Sequence, residues 1–296
     1  MKTLTSAKRF SLLALVVLTL FIAFPAAAQK DKKNPPPVGP MMKRTTLRHE
    51  VRRLAYGGTV TLSGAPAGSI TVEGWARNEV EVSAEIELQA PSAADLDRLL
   101  VVNNFAVDED ANHIRILTTG SHDKVFMKRV AKNFPKSLLG LPWKIDFVIK
   151  VPAMTDLVID AGTGPIKLSG VEGAIRLNAL GSVADLTFTG GSVSALVQSG
   201  AINLAIPARS WHGLGADIKL ASGNLAVELL PGISADIDAE VMRAGEIKIS
   251  YPNLEPLERT SITSRSVHAR AGSGGATLRF TVGDGTIEIR PANVKQ

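Results

Sequence analysis

The chain has 296 residues, 45% of them hydrophobic and only 5% aromatic, with 26 glycines, no cysteine and a formal net charge of +5. The missing thiols exclude disulfide staples, thiolate metal sites and cysteine chemistry. The five histidines (His49, His113, His122, His212, His268) are scattered and never at i,i+4 spacing, so no helical zinc motif can form. Few aromatics and many glycines favour thin, repetitive β structure.

Residues 1–28 read as a secretory leader. Lys2, Lys8 and Arg9 form a basic start, Phe10–Phe24 is apolar apart from Ser11 and Thr19, Pro25 stops a helix, and Ala26-Ala27-Ala28 supplies a small-residue cleavage site. The apolar run is shorter than the roughly 20 residues a spanning helix needs. Cleavage is therefore expected before Gln29. Lipid attachment at the cleavage site would need a cysteine, and a twin-arginine signal would need an Arg pair; neither is present. Removing the three leader cations from +5 leaves +2. The basic pI of 9.4 is thus partly the leader's, and a nucleic-acid partner, which requires a strong positive balance, is not expected.

Gln29–Pro40 is polar and proline-rich, with Lys30, Lys32, Lys33 and Pro35-Pro36-Pro37, and basic character continues through Lys43–Arg53. A Pro/Lys-rich spacer is expected over 29–50, with the fold starting near Val51. The fold divides into strands and a helix over 51–152 and a repetitive region over 153–292. Gly58-Thr-Val-Thr-Leu and Gly68-Ser-Ile-Thr-Val are similar strands ten residues apart, and Val80–Leu88 alternates apolar and polar residues over nine positions. Ser92, followed by Asp95 three residues on and by Leu96, Leu99 and Leu100, predicts a short helix near 92–100. Asn104–Val107 and His113–Leu117 read as a hairpin. Ser121–Pro142 interleaves Lys124, Lys128, Arg129, Lys132 and Lys136 with Phe126, Met127, Val130 and Phe134. This segment predicts a capping helix near 123–134. Trp143–Val151 is again a strand.

From Leu157 onward glycine recurs, with apolar residues two and four positions later. Gly164 precedes Ile166 and Leu168, Gly173 precedes Ile175 and Leu177, Gly200 precedes Ile202 and Leu204, and Gly285 precedes Ile287 and Ile289. The intervals from Gly164 through Gly173, Gly181 and Gly191 to Gly200 are 9, 8, 10 and 9 residues. Such a unit buries its apolar pair only by stacking on neighbours. The expectation is an all-β fold, a β-solenoid or β-roll of short glycine-punctuated strands; an ordinary β-sandwich has similar spacing and is the alternative.

Gly68-Ser-Ile-Thr-Val-Glu-Gly-Trp75, Asn78–Val82, Ile145-Asp-Phe-Val-Ile-Lys-Val-Pro152, Gly162–Gly173 and Gly283-Asp-Gly-Thr-Ile-Glu-Ile-Arg290 resemble, in that order, the motifs of the bacterial putative-adhesin domain family. The resemblance spans about Val51–Pro291. It implies an exported β-solenoid, found as an adhesin or with envelope-stress modules, and brings no catalytic residues. The length of Ser121–Pro142 and the break in glycine rhythm over Tyr251–Arg270 depart from the pattern.

Three local motifs invite chemistry. Asp160-Ala-Gly-Thr-Gly164 resembles half of an aspartic-protease site, but Ala161 replaces the orienting hydroxyl residue and no second copy exists to share a proton. Asp108-Glu109-Asp110 clusters carboxylates, whereas calcium needs about six oxygens on a defined scaffold. Gly272-Ser-Gly-Gly275 lacks a nucleophile elbow. No enzyme, cofactor or metal is therefore expected. The candidate surface-binding residues are Lys124, Lys128, Arg129, Lys132 and Lys136, since a basic amphipathic segment can lie on an anionic surface. The expected role is non-catalytic binding or scaffolding at the cell envelope, periplasmic or extracellular. Its partner would be an envelope polysaccharide, the cell surface or an envelope protein, with peripheral membrane contact. An accessory role in envelope-stress signalling is the alternative, and a glycan-active enzyme on the same scaffold a third reading.

Overall fold

The structure is a computed structural model that describes residues 40–130, 133–257 and 262–292. The expected leader, the spacer up to residue 39 and Lys132 lie outside the described residues. The elements in chain order are β1 (Met42–Arg53), β2 (Thr59–Ala67), β3 (Ile70–Trp75), β4 (Glu79–Ala90), α1 (Ala93–Val102), β5 (Asn104–Glu109), β6 (His113–Thr119) and α2 (Lys124–Val130). There follow β7 (Trp143–Pro152), β8 (Asp156–Thr163), β9 (Ile166–Ser169), β10 (Ala174–Thr187), β11 (Gly190–Ile206), β12 (His212–Leu229), β13 (Ala235–Ile249), β14 (Leu254–Pro256), β15 (Ser266–Ala271) and β16 (Thr277–Pro291). The described strands form one 16-stranded mixed sheet, its path open from β1 at one end to β14 at the other.

The sheet has two arms. Across the first, Val60, Leu157, Ile175, Val193, Ala216, Leu278 and Ile237 stand in parallel register. Across the second, Ile70, Ile166, Ala184, Ile202, Leu225, Ile287 and Ile247 do the same. All of these residues are buried. Because side chains alternate along a strand, each arm turns one face inward, and the apolar positions two and four after each glycine fill it. At one end Phe105 of β5 and Phe147 of β7 meet edge to face at 5.6 Å, tying the arms together across the core.

The strands are not short. β10, β11 and β12 run 14, 17 and 18 residues and pass through their glycines. The glycine bends the strand from one arm into the next without ending it. Gly200 adopts φ +124°, a conformation closed to L side chains, and a Cβ there would sit 1.9 Å from the Ser182 carbonyl oxygen. The register offset from β10 to β11 is therefore 18 residues, as Ser182 pairing with Gly200 shows, or two glycine intervals in place of the expected one.

One further expectation is corrected. Residues 42–50, expected in the spacer, belong to β1, which pairs antiparallel with β4 from Met42 opposite Ala90 to Arg53 opposite Glu79. The strand has no apolar alternation, so its sequence hides it. It is held by its backbone ladder, by Lys43–Glu87 at 2.8 Å, and by the Arg48 guanidinium 4.4 Å over the Phe105 ring. The helix expected near 123–134 is found, described over Lys124–Val130. The last long strand, β16, lies between β12 and β13, parallel to both. The interrupted stretch after Tyr251 contributes β14 and β15, which run antiparallel at the edge beside β13.

Candidate surface-binding site

The basic segment occupies a distinct place in this architecture. β6 pairs with β2 in the first arm and β7 pairs with β3 in the second. Where β10, β11 and β12 pass from one arm to the other within one bent strand, the chain here leaves the sheet after Thr119 and re-enters it at Trp143. The chain exits through Gly120, where a Cβ would press on Trp143, Asn103 and His122. Asn103 is fully buried, and its Oδ1 accepts the Ser121 backbone N–H at 2.8 Å. The His122 and Trp143 rings lie 5.3 Å apart.

Asp123 starts α2, its Oδ1 accepting the backbone N–H groups of Val125 at 2.8 Å and Phe126 at 3.0 Å. The Phe126 N–H bond holds the Asp123 carboxyl below the usual aspartate range. Met127 and Leu138 are buried and Phe134 packs against the core. The opposite side is exposed: Lys124, Lys128, Arg129, Lys136 and Val125 all face water. Lys124 and Lys128, four apart, share a helix face, Arg129 adjoins them, and Lys136 opens the 3-10 turn that follows. Among the described residues no carboxylate lies within 4.0 Å of any of these four cations, whereas Arg115, Arg243, Arg270, Arg279 and Arg290 are each paired at 2.5–2.9 Å.

The other motifs resolve into structure. The Oδ1 of Asp160 accepts Asn178 Nδ2 at 2.8 Å on an outer face. Asp108 and Asp110 are both gripped by Arg115, at 2.8 and 3.0 Å, and the Asn112 N–H, then Arg115, hold Asp110 below its usual pKa. The Ser273 hydroxyl donates to Ser234 Oγ at 3.1 Å. Among the described residues no three His, Asp or Glu side chains are grouped to hold a metal.

One feature escaped the sequence. Beside the basic segment an open trough of about 630 Å³ is walled by His122 on one side and by Leu180 and Leu196 on the other, with Ala65, Pro66 and Ala161 between them. These residues come from the segment, β2, β8, β10 and β11, so no local signal joins them.

No family model matches the chain, and no curated protein does. Among solved structures, it is similar to a putative cell adhesion protein from Clostridium sporogenes at 14% identity and a TM-score of 0.47, covering 83% of this chain and all of that one. A putative adhesin from Bacteroides fragilis gives 11% identity, 82% and 97% coverage and a TM-score of 0.29. A putative lipid binding protein from Parabacteroides distasonis gives 9% identity, 83% and 95% coverage and a TM-score of 0.21.

Proposed function

We propose that this is an exported, non-catalytic, adhesin-like binding protein of the cell envelope, built on a β-roll and contacting an anionic surface through residues 121–142. The observation that carries this reading is the cluster of exposed, unpaired cations on an anchored segment, Lys124, Lys128, Arg129 and Lys136. Elsewhere Arg243, Arg270, Arg279 and Arg290 are each paired with a carboxylate. Four cations left solvated on a segment whose apolar side is already buried call for an anionic partner to meet them.

A basic residue near an anionic surface contributes about 1 kcal/mol. Neutralising Lys124, Lys128 and Arg129 to Gln should therefore weaken binding to phosphatidylglycerol vesicles or to an immobilised polyuronate about 100-fold at low salt. Retention of wild-type affinity for both would reject this surface. Export is tested separately, by fractionating cells and sequencing the N-terminus, which is expected at Gln29.

A further inference from the structure

The trough beside the basic segment exposes apolar surface that has no structural role in the core. Leu180 is 54% and Leu196 42% exposed. Leu196 is out of character with its row: across the outer face of the first arm its register partners run Asp160, Asn178, Leu196, Lys219 and Thr281. The polar members of that row are what an outward strand position in water calls for. The facing wall is His122, two residues before the helix that carries Lys124, Lys128 and Arg129. The trough is therefore linked through His122 to the first of the unpaired cations, two residues along the chain. The one carboxylate lining the trough, Asp160, is hydrogen-bonded to Asn178.

That pairing of chemistries fits an amphiphile with anionic heads better than a purely polar polymer. An interfacial site binds through buried apolar area together with attraction to anionic headgroups. A polysaccharide would use the cations and leave the leucines in water. We propose that this face is a membrane-contact surface: Leu180 and Leu196 enter the acyl boundary of an anionic bilayer while Lys124, Lys128 and Arg129 hold its phosphate groups. The inference rests on the binding role proposed above and names the class of surface.

The test uses the chain from Gln29 onward, which keeps the whole compact unit beginning at Gly39. Binding is measured to vesicles of equal phosphatidylglycerol and phosphatidylcholine, to phosphatidylcholine alone, and to polygalacturonate beads. The expected result is binding to the anionic vesicles over the neutral ones. Leu180→Thr with Leu196→Thr should weaken vesicle binding about tenfold and leave polygalacturonate binding unchanged, because the apolar contribution is removed and no charge is added. The sequence contains no cysteine, so Leu180→Cys accepts a single nitrobenzoxadiazole label without disturbing Leu196. Its emission should shift to the blue on anionic vesicles, and the same label at Glu255→Cys should not shift. No vesicle binding, equal binding by the double threonine variant, or no shift at position 180 overturns the membrane inference. Where the Lys124, Lys128 and Arg129 neutralisation still abolishes polygalacturonate binding, the binding role survives that failure. Where neutralisation changes neither partner, the binding role itself falls.

Discussion

At the corner between the arms, Ser182, Gly200, Gly223, Gly285 and Gly245 stand in register, and Gly164 packs against Gly68. A Cβ at Gly223 would lie 1.8 Å from the Gly200 carbonyl oxygen, and φ there is +137°. Gly223→Ala must strain its own backbone and also push the neighbouring strand away. It should lower stability by about 2–3 kcal/mol or more, read as a fall in the urea midpoint. Gly57→Ala shares a positive φ, +69°, with nothing within 4 Å of the added methyl. It should cost only about 1 kcal/mol. Equal losses at the two sites would refute the close-packing account. Ser182 is tolerated in the row because its φ is not positive and its hydroxyl donates to the Gly164 carbonyl at 2.7 Å.

Among the elements, α1 and β7 carry separable predictions. Ser92 caps α1, its Oγ accepting the Asp95 N–H at 3.2 Å and its hydroxyl donating to Asp95 Oδ2 at 2.7 Å. Ser92→Ala should cost about 1 kcal/mol in chemical unfolding. On β7, Asp146 is fixed by the Ser69 N–H at 2.6 Å, the Ser69 hydroxyl at 2.8 Å and Lys144 at 2.6 Å. Burial raises its pKa, but Lys144 and the two Ser69 donors outweigh this and hold it below the ordinary aspartate value. A carboxyl depressed in the fold contributes stability that is present above its unfolded value, about 3.9, and is lost as pH falls through the folded value. Thermal midpoints should therefore drop below about pH 4, and the drop should be shallower in Asp146→Asn. An unchanged slope would mean that this aspartate does not couple folding to protonation.

For the molecule as a whole, the insertion of β16 between β12 and β13 sets the hierarchy of folding. β12 and β13 follow one another in sequence but do not pair; each gains its second neighbour only when the last long strand arrives. A chain ending at Ala276 would leave two unpaired strand edges, which invite aggregation. It should be insoluble or sensitive to protease across 212–276. A soluble, protease-resistant truncation would contradict this order of assembly. The free edge at the other end is β1, guarded by Lys43, Arg44, Arg48 and Arg52, with Glu50 its one acid, and charge of one sign discourages self-pairing.

Much of this was legible in the residues. The glycine-x-apolar-x-apolar rhythm identified the inward positions of both arms, because burial on a strand obeys a period of two, and the capping pattern at Ser92 located α1. Interleaved Lys and Phe marked 121–142 as a segment with two different sides. The rhythm could not say whether a glycine ends a strand or bends it, since that depends on which backbone lies about 4.8 Å away in the neighbouring strand. It could not place β16 inside the stack, or turn the alternation-free Met42–Arg53 into a strand, because both are held by ladders to residues distant in sequence. Nor could it bring His122 to face Leu180 and Leu196. Local periodicity decided what is buried; only the register between distant strands decided what is adjacent, and adjacency makes the candidate surface.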